Sequence, residues 1–300
     1  MPQHYLAIVN PAAGGGRSRK LLPSALDRLR SAGLQIDIAE TKAPGQATEL
    51  AREAYQRGAR RFIAVGGDGT SFEIINGLYP SPANSEPPTL GFLPLGTGNS
   101  FLRDFSDRGV EYAIESLIAG RTRACDVLRL RHRDGVLHYI NILSMGFSAD
   151  VATLRARRFS HWGELGYMTS IFLTLARFNR RPFPVRVEGQ NAFDDRPCLF
   201  LTFNNSKFTG GTMMIAPKAD ISDGLIEYVR WGPIGRIGLI RNLPTLYDGT
   251  HIRHPLAERT AASHIEFKLE APVDVMIDGE VLTLHCEQID VLSSALQVVA

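Results

Sequence analysis

Over about the first hundred of its 300 residues, this chain alternates short apolar runs with helical patterns, and each apolar run ends in a loop of glycine or polar residues. Tyr5 to Val9 leads into Asn10-Pro11-Ala12-Ala13-Gly14-Gly15-Gly16 and a basic, amphipathic stretch reaching about Ser31. Leu34 to Ala39 leads through Thr41 to Gly45 into a helix over Gln46 to Arg57. Phe62 to Val65 leads through Gly66-Gly67-Asp68-Gly69 into a helix over Thr70 to Leu78, and Thr89 to Leu93 leads into Leu95-Gly96-Thr97-Gly98-Asn99. Alternation with such short connections requires right-handed crossovers and a parallel sheet covered by helices on both faces. Ligands of such sheets gather at the carboxyl ends of the strands, which is where each of these loops falls. Pro23 interrupts the first helical stretch, so that helix is expected to kink there or to start near it.

After about Cys125 the pattern turns to strands: Val127 to Arg131, His138 to Ile142, Val185 to Glu188, Cys198 to Phe203, Leu225 to Arg230, Ile265 to Leu269 and Val273 to Ile277. Helical insertions interrupt them at about Trp162 to Phe178 and Ile234 to Tyr247. The expected organisation is a doubly wound α/β domain over residues 1–125 and a β-rich domain over 126–300, with the Pro-rich piece Tyr79 to Pro88 as a surface loop of the first.

A net charge of +2, with 21% charged and 44% hydrophobic residues, is that of an ordinary soluble protein and does not call for nucleic acid. Cys125, Cys198 and Cys286 lie far apart, which argues against a disulfide framework or a zinc site and for reduced, buried thiols. The start Met1-Pro2-Gln3-His4 lacks a basic-then-apolar signal, and no apolar run approaches the roughly 18 to 20 residues that span a bilayer, so a cytoplasmic location is expected.

The stretch Gly66-Gly67-Asp68-Gly69-Thr70 carries the most chemistry. Glycines let backbone approach a bulky anion, and the following helix start offers unpaired N–H groups and partial positive charge. Two adjacent glycines alone are equally a plain strand-to-helix bend, but a carboxylate among phosphate-attracting groups repels the ligand unless a divalent cation lies between them. Mg-dependent phosphoryl transfer is the leading idea. The run Gly14-Gly15-Gly16-Arg17-Ser18-Arg19-Lys20 does not align to a Walker loop, and reads either as phosphate support or as a flexible loop before a solvated helix.

Farther on, Asp220-Ile221-Ser222-Asp223-Gly224-Leu225 suits an oxygen-ligand cation, or an ordinary Asp-Gly turn. Asp278-Gly279-Glu280 follows a strand; on spacing alone it is a hairpin tip, though a glutamate beside bound metal can accept a proton from an attacking hydroxyl. Arginines and aromatics interleave from Arg155 through Trp162, Tyr167 and Phe172 to Arg181, with Glu164 the one acid. That composition fits either an anionic membrane surface or a helix with solvated arginines packing its aromatics on the sheet. The histidines show no metal spacing, and there is no Gly-x-Ser-x-Gly elbow.

Taken in order, Asn10-Pro11 with its glycines, Gly66 to Thr70, Gly96-Thr97-Gly98-Asn99, Asn204-Asn205-Ser206-Lys207-Phe208-Thr209-Gly210-Gly211, Ala216-Pro217-Lys218-Ala219-Asp220 and Asp278-Gly279-Glu280 resemble the bacterial diacylglycerol kinase and sphingoid-base kinase family over nearly the whole chain. The first glycine motif is shared with NAD kinases; its combination with the later segments is more specific. The resemblance implies an ATP-binding α/β domain followed by a β-sandwich, with the active site in a cleft between them. It implies that Asn10, Thr41, the turn Gly66, Gly67, Asp68, Gly69, Thr70, Ser71, Phe72, and Thr97 contact ATP. It makes Glu280 the proton acceptor for a lipid hydroxyl, gives a structural Mg²⁺ to Asp223 with main-chain oxygens near Asp220 and Leu225, and gives the catalytic Mg²⁺ to Asp68 and Asp126.

Two positions depart from the family pattern. Ser71-Phe72 stands where members often carry Leu-Asn, and Ser100 where many carry Asp, removing a carboxylate that would help orient Mg²⁺ through water. The expected activity is ATP- and Mg-dependent phosphorylation of the primary hydroxyl of a membrane lipid, diacylglycerol first, with peripheral contact at the inner membrane face. A sphingoid-base, ceramide or phosphatidylglycerol kinase, an NAD kinase and a catalytically silent binding protein are the rivals. The oligomeric state is not legible, a homodimer being one arrangement left open.

Overall fold

The computed structural model describes residues 3–80, 86–96, 99–158, 173–174 and 180–300. The chain divides into two compact units, Met1–Val127 with Leu292–Ala300, and Leu128–Val291. Residues 292–300, which a linear division at 125 assigns to the second domain, thus belong with the first unit.

In the first unit, β1 (His4–Val9) pairs in parallel with β2 (Gln35–Glu40) on one side and with β3 (Arg61–Val65) on the other, and β3 pairs in parallel with β4 (Thr89–Leu93). The order 2-1-3-4 is doubly wound. Its direction reverses between β1 and β3, the topological switch point at which such sheets bind ligands. The chain's last strand adds to β4 through Gln297 and Val298, also in parallel.

Helix α1 (Arg17–Ser31) buries Leu22, Ala25, Leu26 and Leu29, one stripe at helical spacing, against Tyr5, Val9 and Ile36 of the sheet. It runs through Pro23 as one helix. Pro23 is exposed, so water can satisfy the carbonyl its ring leaves without a donor. Helices α2 (Gln46–Gln56) and α3 (Asp68–Leu78) follow as expected, except that α3 starts at Asp68, not Thr70, which puts the aspartate inside the first turn. Helix α4 (Val110–Ala119), absent from the sequence reading, adds Ile114 and Leu117 to the same core.

The second unit is an antiparallel β-sandwich. It continues β5 (Thr122–His132) and holds β6 (Gly135–Tyr139), β7 (Ile142–Gly146), α5 (Phe147–Arg158), β8 (Val185–Val187), β9 (Phe200–Asn204), β10 (Phe208–Thr209) and β11 (Met213–Met214). There follow β12 (Ile226–Trp231), α6 (Arg236–Asn242), α7 (Thr245–Asp248), β13 (Ala257–Ala262), β14 (His264–Phe267), β15 (Val273–Ile277), β16 (Glu280–Leu284) and β17 (Cys286–Val299). One sheet has the order β13-β12-β9-β7-β15-β16. The other layer contains the hairpin β5–β6 and the antiparallel set β8–β14–β17.

The single strand expected over His138 to Ile142 is instead β6 and β7, parted at Ile140-Asn141. The helix expected over Ile234 to Tyr247 is α6 and α7, parted at Leu243-Pro244, where proline has no N–H to continue the ladder. The Trp162–Phe178 helix and most of the arginine–aromatic stretch lie outside the described residues, apart from Leu173 and Thr174. Among the described residues no helix is long and apolar enough to cross a membrane. The three cysteines are free and buried, and burial pushes the Cys198 and Cys286 thiols up to about 12.

Candidate active site

The sheet register sets the site. Val9 lies opposite both Glu40 and Val65, and Val65 opposite Leu93, so the four strands of the switch region end in one row. The next residues are therefore neighbours along one edge. Asn10 N–H donates to the Val65 carbonyl at 2.9 Å, Thr41 N–H to Val9 at 2.9 Å, and Gly66 N–H to Leu93 at 3.1 Å. Asn10 closes its own loop, its Oδ1 accepting from Ala12 N–H at 3.0 Å, and the Thr41 hydroxyl donates to the Val9 carbonyl at 3.3 Å.

The glycines here are required by contact. A Cβ on Gly66 would lie 2.2 Å from the Thr70 hydroxyl oxygen, and one on Gly96 would lie 2.8 Å from the Gly67 nitrogen. The loops after β3 and β4 touch backbone to backbone, and Gly96 N–H donates to the Gly66 carbonyl at 2.8 Å. No side chain caps the N-terminus of α3. In that first turn Thr70 N–H donates to the Gly67 carbonyl at 3.0 Å, and the helix's partial positive charge gathers at this end. A cavity lined by Gly66, Gly67, Asp68, Ser71, Phe92 and Phe101 among others holds about 10 Å³, roughly the space of one water.

Asp68 is half-buried, and both of its carboxylate oxygens accept from Ser100 N–H, at 3.0 and 3.1 Å. Burial pushes its pKa up from the ordinary carboxylate value; hydrogen bonds from Ser100 and from the Phe101 backbone oppose that shift. Ser100, read from sequence as a missing carboxylate, is buried and acts as a donor to the carboxylate that remains. Thr70, Ser71 and Phe72 are buried, so Phe72 meets the core with its ring. Thr97 lies outside the described residues.

Glu73 has a function the sequence reading did not assign. Its carboxylate accepts from Gly45 N–H at 2.9 Å and Ala47 N–H at 3.0 Å, capping α2 from the neighbouring helix. Nothing local announces this, since the capped residues lie 26 and 28 positions away. Asp126 is fully buried, and its Oδ1 accepts from Ser294 N–H at 2.6 Å, tying the returning C-terminal strand to β5. Asp220 Oδ1 accepts from Ser222 N–H at 3.0 Å and Asp223 Oδ1 from Leu225 N–H at 2.9 Å, so both are exposed side chains that hold their own turns. Among the described residues, no three Asp, Glu, His or Cys side chains gather as a metal site.

In the second unit the motif segments meet. Asp278 (φ 46°) and Gly279 (φ 89°) form the two-residue hairpin turn between β15 and β16, with Ile277 opposite Glu280. The Asp278 carboxylate is buried and accepts from the N–H groups of Ile140, Asn141 and Ile142 at 3.0, 3.1 and 2.8 Å. Asn205 N–H donates to the Asn141 carbonyl at 2.8 Å and the Asn205 side chain to Ile140 at 3.0 Å, while Ser206 and Asn141 join through their side chains. The interruption between β6 and β7 is therefore where Asp278 binds. Glu280, exposed at the start of β16, is carried on that fastened turn.

Comparison with known proteins adds four findings. The family model described as diacylglycerol kinase catalytic domain matches residues 4–130, and the YegS C-terminal NAD kinase beta sandwich-like domain matches residues 141–300. A diacylglycerol kinase of Mycobacterium tuberculosis (strain H37Rv) is 27% identical over 97% of this chain and 93% of its own length. A probable lipid kinase YegS-like protein of Enterobacter sp. (strain 638) is 30% identical over 75% of this chain and 73% of its own. A crystal structure of a diacylglycerol kinase from Bacillus anthracis str. Sterne shares the fold with a TM-score of 0.73 at 22% identity, covering 99% of this chain and 96% of that one.

Proposed function

Because this chain belongs to the diacylglycerol kinase family and is a lipid kinase of that type, we propose that it transfers the γ-phosphate of ATP to the primary hydroxyl of diacylglycerol, giving phosphatidic acid. The observation that carries this reading is the switch-point edge, with its uncapped α3 N-terminus, contacting glycine loops and a carboxylate held in their midst. Those are the groups that bind and orient a polyphosphate.

In this reading Asn10, Thr41, Thr97 and the turn from Gly66 to Phe72 hold the nucleotide. The donor set fits Mg²⁺, which typically takes one or two carboxylates together with phosphate oxygens and water and needs no cage of several acids. Asp68 would hold it, supported by Ser100; once bound, the cation neutralises charge on the phosphates. Asp126 would help Asp68 organise that ion, and Asp223 with main-chain oxygens near Asp220 and Leu225 would hold a second, structural one. A primary alcohol is a poor nucleophile, and Glu280 would accept its proton as the oxygen attacks phosphorus and the bond to ADP breaks. The protein would work as a peripheral enzyme at the cytoplasmic membrane face.

The test is ATP consumption with Mg²⁺ and mixed diacylglycerol micelles, set beside a panel of sphingoid base, ceramide and phosphatidylglycerol. Lipid-dependent turnover greatest with diacylglycerol is expected, with a loss of about 10²-fold or more in Glu280→Gln. Lipid-independent turnover, or a variant as fast as the parent, would sink the mechanism.

A further inference from the structure

Helix α6 faces inward through Leu239, which is 1% exposed and packs in one core cluster with Trp231, Ile234 and Leu246. That anchoring fixes its rotation. Ile237 and Ile240, three apart and hence on a common face, point away from the core and are 70% and 50% exposed. Tyr247, at the end of the following short helix, is 51% exposed. Two isoleucines this exposed on an anchored helix are a standing cost in water unless something covers them.

The charge around them names the cover. From Trp231 to Tyr247 the chain carries Arg236 and Arg241 and no acid. Arg236 and Ile240, like Ile237 and Arg241, are four apart, so both exposed arginines border the isoleucine face. Arg180 joins them: a Cβ on Gly235 would lie 3.8 Å from its guanidinium.

We propose that α6, with Tyr247 and with Arg180 from the end of the arginine–aromatic stretch, is a docking element for the surface of an anionic phospholipid bilayer. Isoleucine side chains inserted below the headgroups, arginines on lipid phosphates and an amphipathic tyrosine at the boundary match the layers of such a surface. A seven-residue helix is roughly 10 Å long. That footprint falls well short of the roughly 800 Å² per partner of a stable protein interface, whereas shallow, reversible lipid contact needs only a few inserted side chains reinforced by charge. The choice of partner rests on the lipid-kinase reading.

The experiment is flotation of the full-length protein with vesicles of phosphatidylcholine alone or mixed with phosphatidylglycerol. Binding to the mixed vesicles is expected to be stronger, and to fall about tenfold or more in the double variant Ile237→Asp, Ile240→Asp. Arg236→Ala with Arg241→Ala should remove the preference for anionic lipid and its salt dependence. The milder pair Ile237→Ser, Ile240→Ser guards against misfolding, and every variant is compared only if its thermal melting matches the parent's. Turnover of a short-chain diacylglycerol presented below its micelle-forming concentration should be unchanged. Equal vesicle binding by folded variants overturns the proposal, as does a parent dimer that the isoleucine variants convert to monomer. Failure of the kinase reading shows separately, as no turnover of the soluble lipid by a parent that still binds vesicles.

Discussion

Asp68 and Asp278 both precede a glycine beyond a buried strand, and the two units use them in opposite ways. Asp278 is sealed, with three backbone N–H groups within 3.1 Å of its oxygens. Asp68 is half-buried and draws its hydrogen bonds from Ser100 and Phe101, beside a helix N-terminus that no side chain caps. The dipeptide fixes a bend in each case. What the charge does depends on whether the protein's own backbone surrounds it or leaves it half-buried at the positive end of a helix.

The comparison breaks most sharply at Asp68→Asn. If this carboxylate serves phosphoryl transfer, kinase rate falls on the order of 10³-fold, about 4 kcal/mol of transition-state stabilisation. Stability should not fall with it. Burial raises the folded-state pKa of Asp68, so above the unfolded pKa the ionised group costs stability, and that cost is relieved as pH drops through the folded value. Asparagine removes the cost, so the melting temperature at pH 7 should stay level or rise. Equal losses of stability and activity would make Asp68 a second Asp278.

Asp278→Asn probes the other side. The amide offers one acceptor oxygen where the carboxylate offers two, and its NH₂ group faces backbone N–H groups in a sealed site. Urea unfolding should show a loss of about 3 kcal/mol with an unchanged slope. A loss under about 1 kcal/mol would mean that the three amides find other acceptors.

The α/β half of the molecule was legible because buried parallel strands read as unbroken apolar runs punctuated by glycine. The row of Asn10, Thr41 and Gly66 follows from strand ends that the sequence marks, and the Asp278-Gly279 hairpin from its own two residues. What escaped is long-range. The pairing of Gln297 and Val298 with β4 joins positions some two hundred apart, and Asp278 reaches its amides across 136 to 138 residues. The split of one expected strand into β6 and β7 is the trace of that reach. Ser100 looked like a deficit because a motif comparison counts carboxylates, whereas the fold uses its N–H and hydroxyl.

Glu73 tests whether sealing, as opposed to the contact itself, separates the two aspartates. Like Asp278 it accepts backbone N–H groups at close range, 2.9 and 3.0 Å, and like Asp68 it sits on α3. Its partners Gly45 and Ala47 open the first turn of α2, and Gly45 is exposed. When Glu73→Ala removes the acceptor, water replaces it at Gly45, and the charge–dipole attraction is the main loss, so thermal unfolding should show only about 1 kcal/mol. Amide exchange should quicken at Gly45 to Ala47 ahead of the rest of the unit. A loss near 3 kcal/mol would equal that at Asp278, and access to water would no longer account for the difference between a carboxylate that holds the fold and one that merely trims it.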